Sequence, residues 1–502
     1  MLKSIHTPLT KLFVALIAVV TILTPPTPAQ LSSTIKTTEW TPELMMKLKQ
    51  ISNVQASPDG KRVVFTVRQA VMDSTRSEYS TQIYLTNSDG SGLAPMTTGE
   101  KSSDNPQWSP DGEFIAFTST RSGKSNVWLM HANGDEPQML TDVRTGVSSF
   151  KWSPDGKRIA FIAKDSSTPQ EEQAVREKND ARVVDEYIKG ERLFVILVEK
   201  TAGGKHEARQ LTMGDYRVPD GAGRTDYDWS PNSRTIVFTS DFTPKPGAWA
   251  NSDLSLVDVQ SAQLKSLVNT GANERYPIYS PDGRWIAYLQ SDNPHININS
   301  HIVHVIPSGG GTLRRLAVTL DQFGHLPAGS PLIGWSADGK EIYCLQDRGT
   351  ISRIYALPLD GGAEREVSKN QGVITAVSLN QPRSLFGFSY ETSNDPPEAY
   401  LSRVNKFDPV QLSHLNKGML AIPVARTEVI RWKSVDNLGI EGLLTYPTGY
   451  ERGRRYPLVL LIHGGPISLH AQRFIGTPAV GAPLYGPVQL WPRTDTPSCA
   501  AM

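Results

Sequence analysis

The strongest candidates for a part in catalysis are His463-Gly464-Gly465-Pro466, which follow the apolar run LVLLI at 458–462. Glycine lets a backbone approach a reacting carbonyl closely. Backbone N–H groups of such a loop can hold the negative oxygen that forms when an acyl group is attacked. We assign His463 to this oxyanion side of a site rather than to proton transfer. The four residues are therefore candidates for electrostatic stabilisation of acyl transfer.

Acyl transfer by a serine enzyme also needs a nucleophile, a base and an orienting acid. The serine would be expected on a G-x-S-x-G turn well after His463, but no such pattern occurs in the 502 residues. The nearest approximation is G-W-S-A-D at 334–338, where Ser336 belongs to an internal repeat. His470 comes too early to be the base. We therefore expect none of the triad residues in this chain.

Other side chains that could bind ligands form weaker patterns. His295, His301 and His304 are close in sequence, but His301 and His304 are three apart in a predicted strand and face opposite sides. The two cysteines, Cys344 and Cys499, exclude a disulfide framework and a Cys-rich metal site. No phosphate-binding loop is present. We expect neither a metal site nor a cofactor.

An internal repeat supplies the elements that must position these residues. Each copy has a residue, usually Trp or Tyr, before a turn of the S-P-D-G type, and then an alternating strand. The repeat serines are Ser57, Ser109, Ser153, Ser230, Ser280, Ser336 and, in a degenerate seventh copy, Ser378. A period of about 40–50 residues with several short strands is typical of a propeller blade. Seven copies predict seven blades.

Each part of the repeat has a physical role. The aromatic residue is a large anchor for packing between neighbouring sheets. Proline presets φ in the turn, and glycine supplies a positive φ. The alternation that follows, as in RIAF at 158–161, is that of a strand with one face towards each neighbour.

One spacing between repeats is longer than the others. From Ser153 to Ser230 it is 77 residues, and the extra chain at about 164–192 is charged and rich in helix formers. We predict a helical insertion from the third blade. Glu171 and Glu172 within it are interpreted as a solvated helix face; the alternative is an insertion that shapes an entry path.

Composition and charge narrow the possible partners. The chain has 51 basic and 50 acidic side chains and a net charge of +1, so no global field favours nucleic acid. Its 40 Gly and 36 Pro indicate many turns and hence many short strands. We expect no nucleic-acid partner. The oligomeric state is left open.

The amino terminus has the pattern of a secretory signal peptide. Lys3 and Lys11 precede a run of 12 residues at 12–23 that is apolar apart from one Thr, and the following flank TPPTPAQ ends near a small Ala29. We predict a signal peptide at 1–29 and an exported protein, periplasmic or secreted. A spanning helix needs about 20 apolar residues, so an amino-terminal membrane anchor is the alternative.

After about residue 405 the repeat ends. Residues 429–447 contain two β-like stretches around Asp436-Asn437, and LVLLI fits a strand buried on both faces, as in an α/β sheet. HGG at the end of such a strand fits the loop that helps to form the oxyanion hole of an α/β-hydrolase.

With these features the chain resembles the prolyl oligopeptidase family of serine peptidases, in particular its dipeptidyl-peptidase and acylaminoacyl-peptidase branches. The resemblance covers residues 38–474. It rests on WTPELMMKLKQISNVQASPDG at 40–60, the seven TolB-like blades, DNLGIEGLLTYP at 436–447 and YPLVLLIHGGP at 456–466. It implies a propeller that covers an α/β-hydrolase domain and restricts a Ser-Asp-His triad to short peptides.

The predicted fold is therefore mainly β. A lead-in segment at 30–50 precedes a seven-bladed β-propeller at 51–405, and an incomplete α/β-hydrolase domain starts at 425–474. The tail at 475–502 contains five prolines, which break helices and central strands. We interpret it as an aberrant tail and hypothesise a truncated or frame-shifted product.

Three functional interpretations follow. The first is an exported serine peptidase of this family, of aminopeptidase type towards short peptides, whose triad is absent from this chain and which is inactive alone. The second is a stand-alone propeller that binds peptides or proteins. The third is a non-functional truncated product.

Overall fold

The structure, a computed structural model, describes residues 40–181, 189–201, 204, 206–214, 216–219, 225–241, 252–291, 301–316, 332–462, 469–476 and 498–501. These residues lie in one compact unit, Glu39–Met502. A second unit, Met1–Thr38, contains the predicted signal peptide at 1–29 and lies outside the described residues. In the part of the chain just defined, no helix has the length and apolar character to cross a membrane.

The repeats form seven blades, as the sequence predicts. Each blade is a sheet of four antiparallel strands that pair in chain order. Blade 1 contains β1 (Gln50–Ala56), β2 (Arg62–Met72), β3 (Ser77–Asn87) and β4 (Ala94–Pro95). Blade 2 contains β5 (Ser103–Trp108), β6 (Phe114–Ser119), β7 (Asn126–His131) and β8 (Gln138–Met139). Blade 3 contains β9 (Val147–Trp152), β10 (Arg158–Lys164), β11 (Glu191–Leu197) and β12 (Ala208–Gln210).

The remaining four blades follow the same plan. Blades 4 and 5 contain β13 (Tyr227–Trp229), β14 (Thr235–Asp241), β15 (Ser252–Asp258) and β16 (Leu264–Val268), then β17 (Glu274–Tyr279), β18 (Trp285–Ser291), β19 (His301–Pro307) and β20 (Arg314–Arg315). Blades 6 and 7 contain β21 (Leu332–Trp335), β22 (Glu341–Arg348), β23 (Ile351–Pro358) and β24 (Arg365–Glu366), then β25 (Val373–Leu379), β26 (Leu385–Glu391), β27 (Glu398–Arg403) and β28 (Val410–Gln411).

The repeat turns join the first and second strands of each blade. In blade 1 the Ser57 hydroxyl donates to Asp59 Oδ1 over 2.6 Å and accepts from the N–H of Arg62 at 3.0 Å. The same contact to an Asp or Asn two residues on recurs at Ser109, Ser153, Ser230, Ser280 and Ser336. We call the end of the propeller that carries these turns the turn end. The opposite end, where second strands lead into third strands, is the sheet end.

The alignment of Ser378 with the repeat serines is wrong by two residues. In blade 7 the turn is closed by Asn380, whose side-chain oxygen accepts from the N–H groups of Ser384 and Leu385, both at 2.9 Å. Ser378 lies earlier, inside β25, and donates to the carbonyl oxygen of Val54 in blade 1 at 2.6 Å. An amide oxygen can accept the same N–H groups as a hydroxyl. The turn of blade 7 therefore needs no serine, and the register based on Ser378 is shifted.

Within the described residues, the hydrophobic core of the propeller is divided into seven clusters, one between each pair of neighbouring blades. The aromatic residues before the turns contribute to them. Trp335 is fully buried, and its Nε1 donates to the carbonyl oxygen of Ile278 in the preceding blade at 3.2 Å. Trp108 and Trp229 donate to the blades before them in the same way. These contacts confirm the predicted anchoring between neighbouring sheets.

The ring closes between blades 7 and 1, and each of the two blades keeps its own four strands. Ile51, Val54 and Phe65 of blade 1 share one core cluster with Leu401 of blade 7. At Gly387 a Cβ would overlap the carbonyl oxygen of Val54 and lie 2.9 Å from its carbonyl carbon. Blades 7 and 1 can approach each other this closely only because residue 387 has no side chain.

The insertion leaves blade 3 between β10 and β11. Pro169–Arg176 form an eight-residue helix, α2, which follows the short helix α1 (Pro42–Met46) in the chain. Thr168 and Glu171 cap its amino terminus reciprocally, and proline occupies the first turn. The insertion therefore lies at the sheet end of the propeller.

An eighth sheet follows the propeller, after a 3-10 turn at Lys417–Ala421. It contains β29 (Thr427–Lys433), β30 (Gly439–Thr445), β31 (Val459–Ile462) and β32 (Ser498–Ala501) in the order β29-β30-β32-β31. β31 and β32 run parallel, which requires a crossover connection. β32 starts immediately after the last of the five tail prolines, Pro497.

The expectation that LVLLI is buried on both faces is wrong. Leu458, Leu460 and Ile462 are 63%, 55% and 70% exposed. Among the described strands β31 lies at the edge of its sheet, and a strand is buried on both faces only where other elements cover both.

Candidate functional site

The predicted oxyanion-side loop follows β31 directly. Its residues, His463, Gly464, Gly465 and Pro466, lie outside the described residues. The segment that comes after them, 469–476, returns to the propeller at its sheet end.

The returning segment is bound to blades 6 and 7. The N–H of Gln472 donates to the carbonyl oxygen of Thr350 at 2.8 Å, and its side-chain amide donates to Thr350 Oγ1 at 2.9 Å. Arg473 Nη1 lies 2.6 Å from Glu391 Oε1, and the N–H of Phe474 donates to Glu391 Oε2 at 3.0 Å. Both carboxylate oxygens of Glu391 are thus used by the segment that follows the loop.

The eighth sheet is held at the same place. Glu441 of β30 accepts from the N–H of Thr350 at 3.0 Å and from its hydroxyl at 3.2 Å. Arg431 on β29 lies 2.7 Å from the other oxygen of the Glu441 carboxylate. Gly349 has a φ of +59°, and a Cβ there would overlap that carboxylate. Only glycine allows this turn to meet the sheet.

An apolar cluster packs where the lead-in segment, the chain after blade 7 and the segment 469–476 meet; we call this place the junction. Trp40, Leu48 and Ile422 pack with Phe474 and Ile475. The rings of Trp40 and Phe474 meet edge to face with centroids 5.6 Å apart, and Trp40 Nε1 donates to a backbone carbonyl oxygen at 3.1 Å. The lead-in segment therefore belongs to this junction rather than to a blade.

Carboxyl groups crowd the sheet end of blades 4 and 5. Asp226 pairs with Arg275, and Asp241 pairs with Arg217 at 2.8 Å. Glu274 is fully buried, and burial raises its pKa to about 7.

A second carboxyl group of this region behaves in the same way. Burial also raises the pKa of Asp253, to about 6, and its charge acts on Glu274. Both groups can exchange a proton near neutral pH. Among the described residues, no group of three or more His, Cys, Asp or Glu could hold a metal ion.

Other residues singled out by the sequence have structural roles. Ser336 donates to Asp338 at 2.7 Å and accepts backbone N–H groups, as expected for a turn serine. His301 and His304 lie on β19, where His304 stacks on Tyr288 with ring centroids 5.8 Å apart. His295 lies outside the described residues.

The two insertion acids are also accounted for by local contacts. Glu171 caps α2 and lies 2.6 Å from Lys189, and Glu172 lies 2.8 Å from Arg144.

Sequence reasoning missed a second feature, a cavity of about 550 Å³ at the turn end to which all seven blades contribute. Lys151 and Asp228 form an ion pair of 2.5 Å in its wall, and Arg383 lines it as well. The signal was present: Arg383 occupies the turn position that is glycine in five other blades. It was hidden because blade 7 was aligned on Ser378 instead of Asn380.

Comparisons with known proteins agree with this architecture. A family model described as TolB beta propeller domain matches residues 42–191. The uncharacterised peptidase YuxL of Bacillus subtilis is 26% identical over 451 residues, which are 84% of this chain and 66% of that protein. Dipeptidyl-peptidase 5 of Porphyromonas gingivalis is also 26% identical, over 85% of this chain and 63% of its own length. The chain thus spans slightly less than two thirds of these two relatives.

Solved structures share the fold at lower identity. An acylaminoacyl peptidase in complex with Z-Gly-Gly-Phe-chloromethyl ketone has a TM-score of 0.67 at 17% identity, and covers 92% of this chain and 66% of its own. A Mycobacterium tuberculosis puromycin-hydrolyzing peptidase has a TM-score of 0.62 at 12% identity, with 92% and 68% covered. The sequence relatives, the TolB-type blades and the shared fold confirm the resemblance to the prolyl oligopeptidase family.

Proposed function

We propose, from its relationship to the dipeptidyl-peptidase 5 and YuxL peptidases, that this chain is an exported member of the prolyl oligopeptidase family whose ligands are short peptides. Its propeller restricts access to a hydrolase domain that begins at 425–474. His463, Gly464, Gly465 and Pro466 form the oxyanion side of that domain. The cleavage that the resemblance implies is of the aminopeptidase type, as in the dipeptidyl and acylaminoacyl branches, and this chain lacks the triad for it.

One observation carries this proposal. The chain on both sides of 463–466 is fastened to the sheet end of the propeller, through Glu441 before the loop and Gln472 and Arg473 after it. Fixing the flanking chain on a rigid ring would favour N–H groups that keep one direction, which is what stabilisation of an oxyanion requires. The ring then limits what reaches the loop.

The 502-residue polypeptide does not hydrolyse peptides by itself under this proposal. A covalent mechanism needs an activated nucleophile and its base, and no G-x-S-x-G pattern occurs in the sequence. The test uses the purified chain with dipeptidyl and acylaminoacyl chromogenic substrates and a fluorophosphonate probe for activated serines. We expect neither turnover nor labelling. Turnover that survives Ser336→Ala would contradict the proposed absence of a triad.

Export is tested separately. Expression of the full chain in a bacterial host, followed by amino-terminal sequencing of the mature protein, should show cleavage near Gln30. An intact amino terminus on a membrane-bound protein would favour the alternative of an anchor.

A second candidate function is a stand-alone peptide-binding propeller. It is favoured by the closed ring, because blades 1 and 7 meet without help from the eighth sheet. Limited proteolysis should then leave a stable fragment of about 40–405 that still retains peptides in a pull-down. Loss of the whole propeller on cleavage of the eighth sheet would exclude this candidate.

A further inference from the structure

The turn end of the propeller is a ring of turns, and in four of the blades the turn glycine packs on the proline of the preceding blade. A Cβ at Gly112 would lie 3.4 Å from Pro58, and one at Gly283 would lie 3.4 Å from Pro231. Gly156 and Gly339 face the prolines of blades 2 and 5 in the same way. These glycines have φ values between +69° and +76°, so the position needs a residue that tolerates the left-handed region.

Blade 4 has Ser233 at the glycine position, and Gly60 of blade 1 faces Leu385 instead of a proline. The departures that concern the cavity are in blades 6 and 7. Blade 6 has Ala337 where five other blades have proline, and blade 7 has Arg383 where five others have glycine. The φ of Arg383 is +59°, which is uncommon for a large side chain and carries a backbone cost. The two positions are neighbours in the ring, because the Arg383 side chain extends from blade 7 to blade 6.

The guanidinium of Arg383 is held in the wall of the cavity. Its Nη1 donates to the carbonyl oxygen of Trp335 at 3.1 Å. A Cβ at Gly334 would lie 3.3 Å from the same nitrogen, so this glycine leaves the space that the arginine uses. Indole rings, proline rings and the ring of Tyr279 form much of the surrounding wall.

The charges of this wall are unequally matched. Lys151 lies 2.5 Å from Asp228 Oδ1, while Asp228 Oδ2 accepts from the N–H of Tyr279 at 2.8 Å. Both oxygens of that carboxylate are therefore occupied. Across the described ranges, no carboxylate lies within 4.0 Å of Arg383, and burial lowers the pKa of its guanidinium by more than the charge of Asp228 raises it. The cavity thus contains one cation in excess.

We propose that Arg383 makes the turn-end cavity a binding site for a carboxylate carried on an apolar or aromatic body. The planar guanidinium has N–H groups beyond the one given to Trp335, and its fork matches a carboxylate. The aromatic and proline rings around it suit an apolar body, as ligand pockets combine apolar walls with few polar anchors. The site lies at the opposite end of the blades from Glu391 and the eighth sheet.

The test measures binding of 3-phenylpropionate to the purified 502-residue chain by tryptophan fluorescence, because Trp108, Trp152 and Trp229 line the cavity. 3-Phenylpropanamide is the matched neutral ligand. We expect saturable binding of the acid and at least about tenfold weaker binding of the amide, since a hydrogen bond to a charged group contributes more than a neutral one.

Arg383→Gly is the decisive variant. It removes the cation and installs the residue that positive φ favours, so the thermal unfolding temperature should be equal or higher. Binding of 3-phenylpropionate should weaken at least about tenfold. Lys61→Gln, which removes an exposed cation from the blade 1 turn, is the matched control and should bind as the parent does.

Three outcomes would overturn the inference. They are unchanged binding in Arg383→Gly, absence of saturable binding by the parent protein, and competition by inorganic phosphate as effective as that by the acid. The last would show a bare anion site without a role for the apolar wall. None of these measurements depends on turnover, so failure here leaves the proposed peptidase relationship unaffected.

Discussion

Glu391 and Arg473 form the ion pair that fastens the segment after 463–466 to blade 7. Their charged atoms lie 2.6 Å apart, and both side chains are largely buried. The second oxygen of Glu391 accepts the N–H of Phe474 at 3.0 Å. One carboxylate thus fixes both a side chain and the backbone of its neighbour, which sets where the chain leaves the propeller.

Glu391→Gln should release this segment. The amide keeps the shape but leaves the buried Arg473 without its counter-charge, which we expect to cost about 3 kcal/mol of unfolding free energy. Urea unfolding measures the loss, and trypsin should cleave after Arg473 faster than in the parent. Glu428→Gln, in the exposed pair with Arg426, should cost less than about 1 kcal/mol. Equal effects of the two variants would contradict a fastening role.

The raised pKa of Glu274 predicts a pH-dependent stability. Because the folded protein binds this proton more tightly than the unfolded chain, the stabilisation is complete below pH 4.5 and is lost as pH rises to about 7. Glu274→Gln stays neutral throughout. Its unfolding free energy relative to the parent should therefore rise by up to about 3 kcal/mol between pH 4.5 and 8.

Asp282→Asn provides the control for that measurement. Its hydrogen bond from Ser280 lowers the pKa of Asp282 to about 2, so its contribution is present above pH 3.8 and lost only as pH falls below it. The difference from the parent should stay constant between pH 4.5 and 8. A constant difference for Glu274→Gln as well would show that its carboxyl is ionised throughout.

Gly387→Ala should open the contact that closes the ring. The new methyl group would collide with the backbone of Val54, and overpacking of this kind costs about 1–3 kcal/mol. Chemical unfolding gives the magnitude. Gly418→Ala is the matched control because nothing lies within 4 Å of its Cβ position, and its stability should change by less than about 1 kcal/mol. Similar values for both would place the ring closure elsewhere.

Two tryptophans at the same repeat position should respond differently to phenylalanine. Trp335 donates to the carbonyl oxygen of Ile278, so Trp335→Phe leaves that acceptor without its partner. Trp152 Nε1 is buried and has no acceptor within the described part of the chain. We expect Trp335→Phe to cost about 1 kcal/mol more than Trp152→Phe in urea unfolding. The reverse order would contradict the assigned role of the indole bond.

Much of the fold could be predicted because the repeat is local. Ser57, Asp59 and Gly60 close a turn within six residues, so their types reveal the turn directly. Asn380 shows the limit of this reasoning, since a different side chain performs the same contact and the register was lost. LVLLI was wrongly expected to be buried on both faces because its burial depends on elements far away in the chain.

The candidate site divides in the same way. The glycines of 464–465 and the missing G-x-S-x-G pattern are visible in the sequence, because each depends on adjacent residues. The anchoring of Arg473 on Glu391 and the exposure of Arg383 to a cavity are not, because they join residues that meet only through the ring.

The sequence by itself therefore determined the number of blades, the chemistry of their turns and the loop after LVLLI. Only the tertiary structure decided where the ring closes, which carboxylates find a cation and which cation is left over. The physical reason is the separation along the chain of the residues that interact. A turn is stabilised by hydrogen bonds across two to five residues. Lys151 and Asp228 are 77 positions apart and pair only because neighbouring blades bring them to the wall of one cavity.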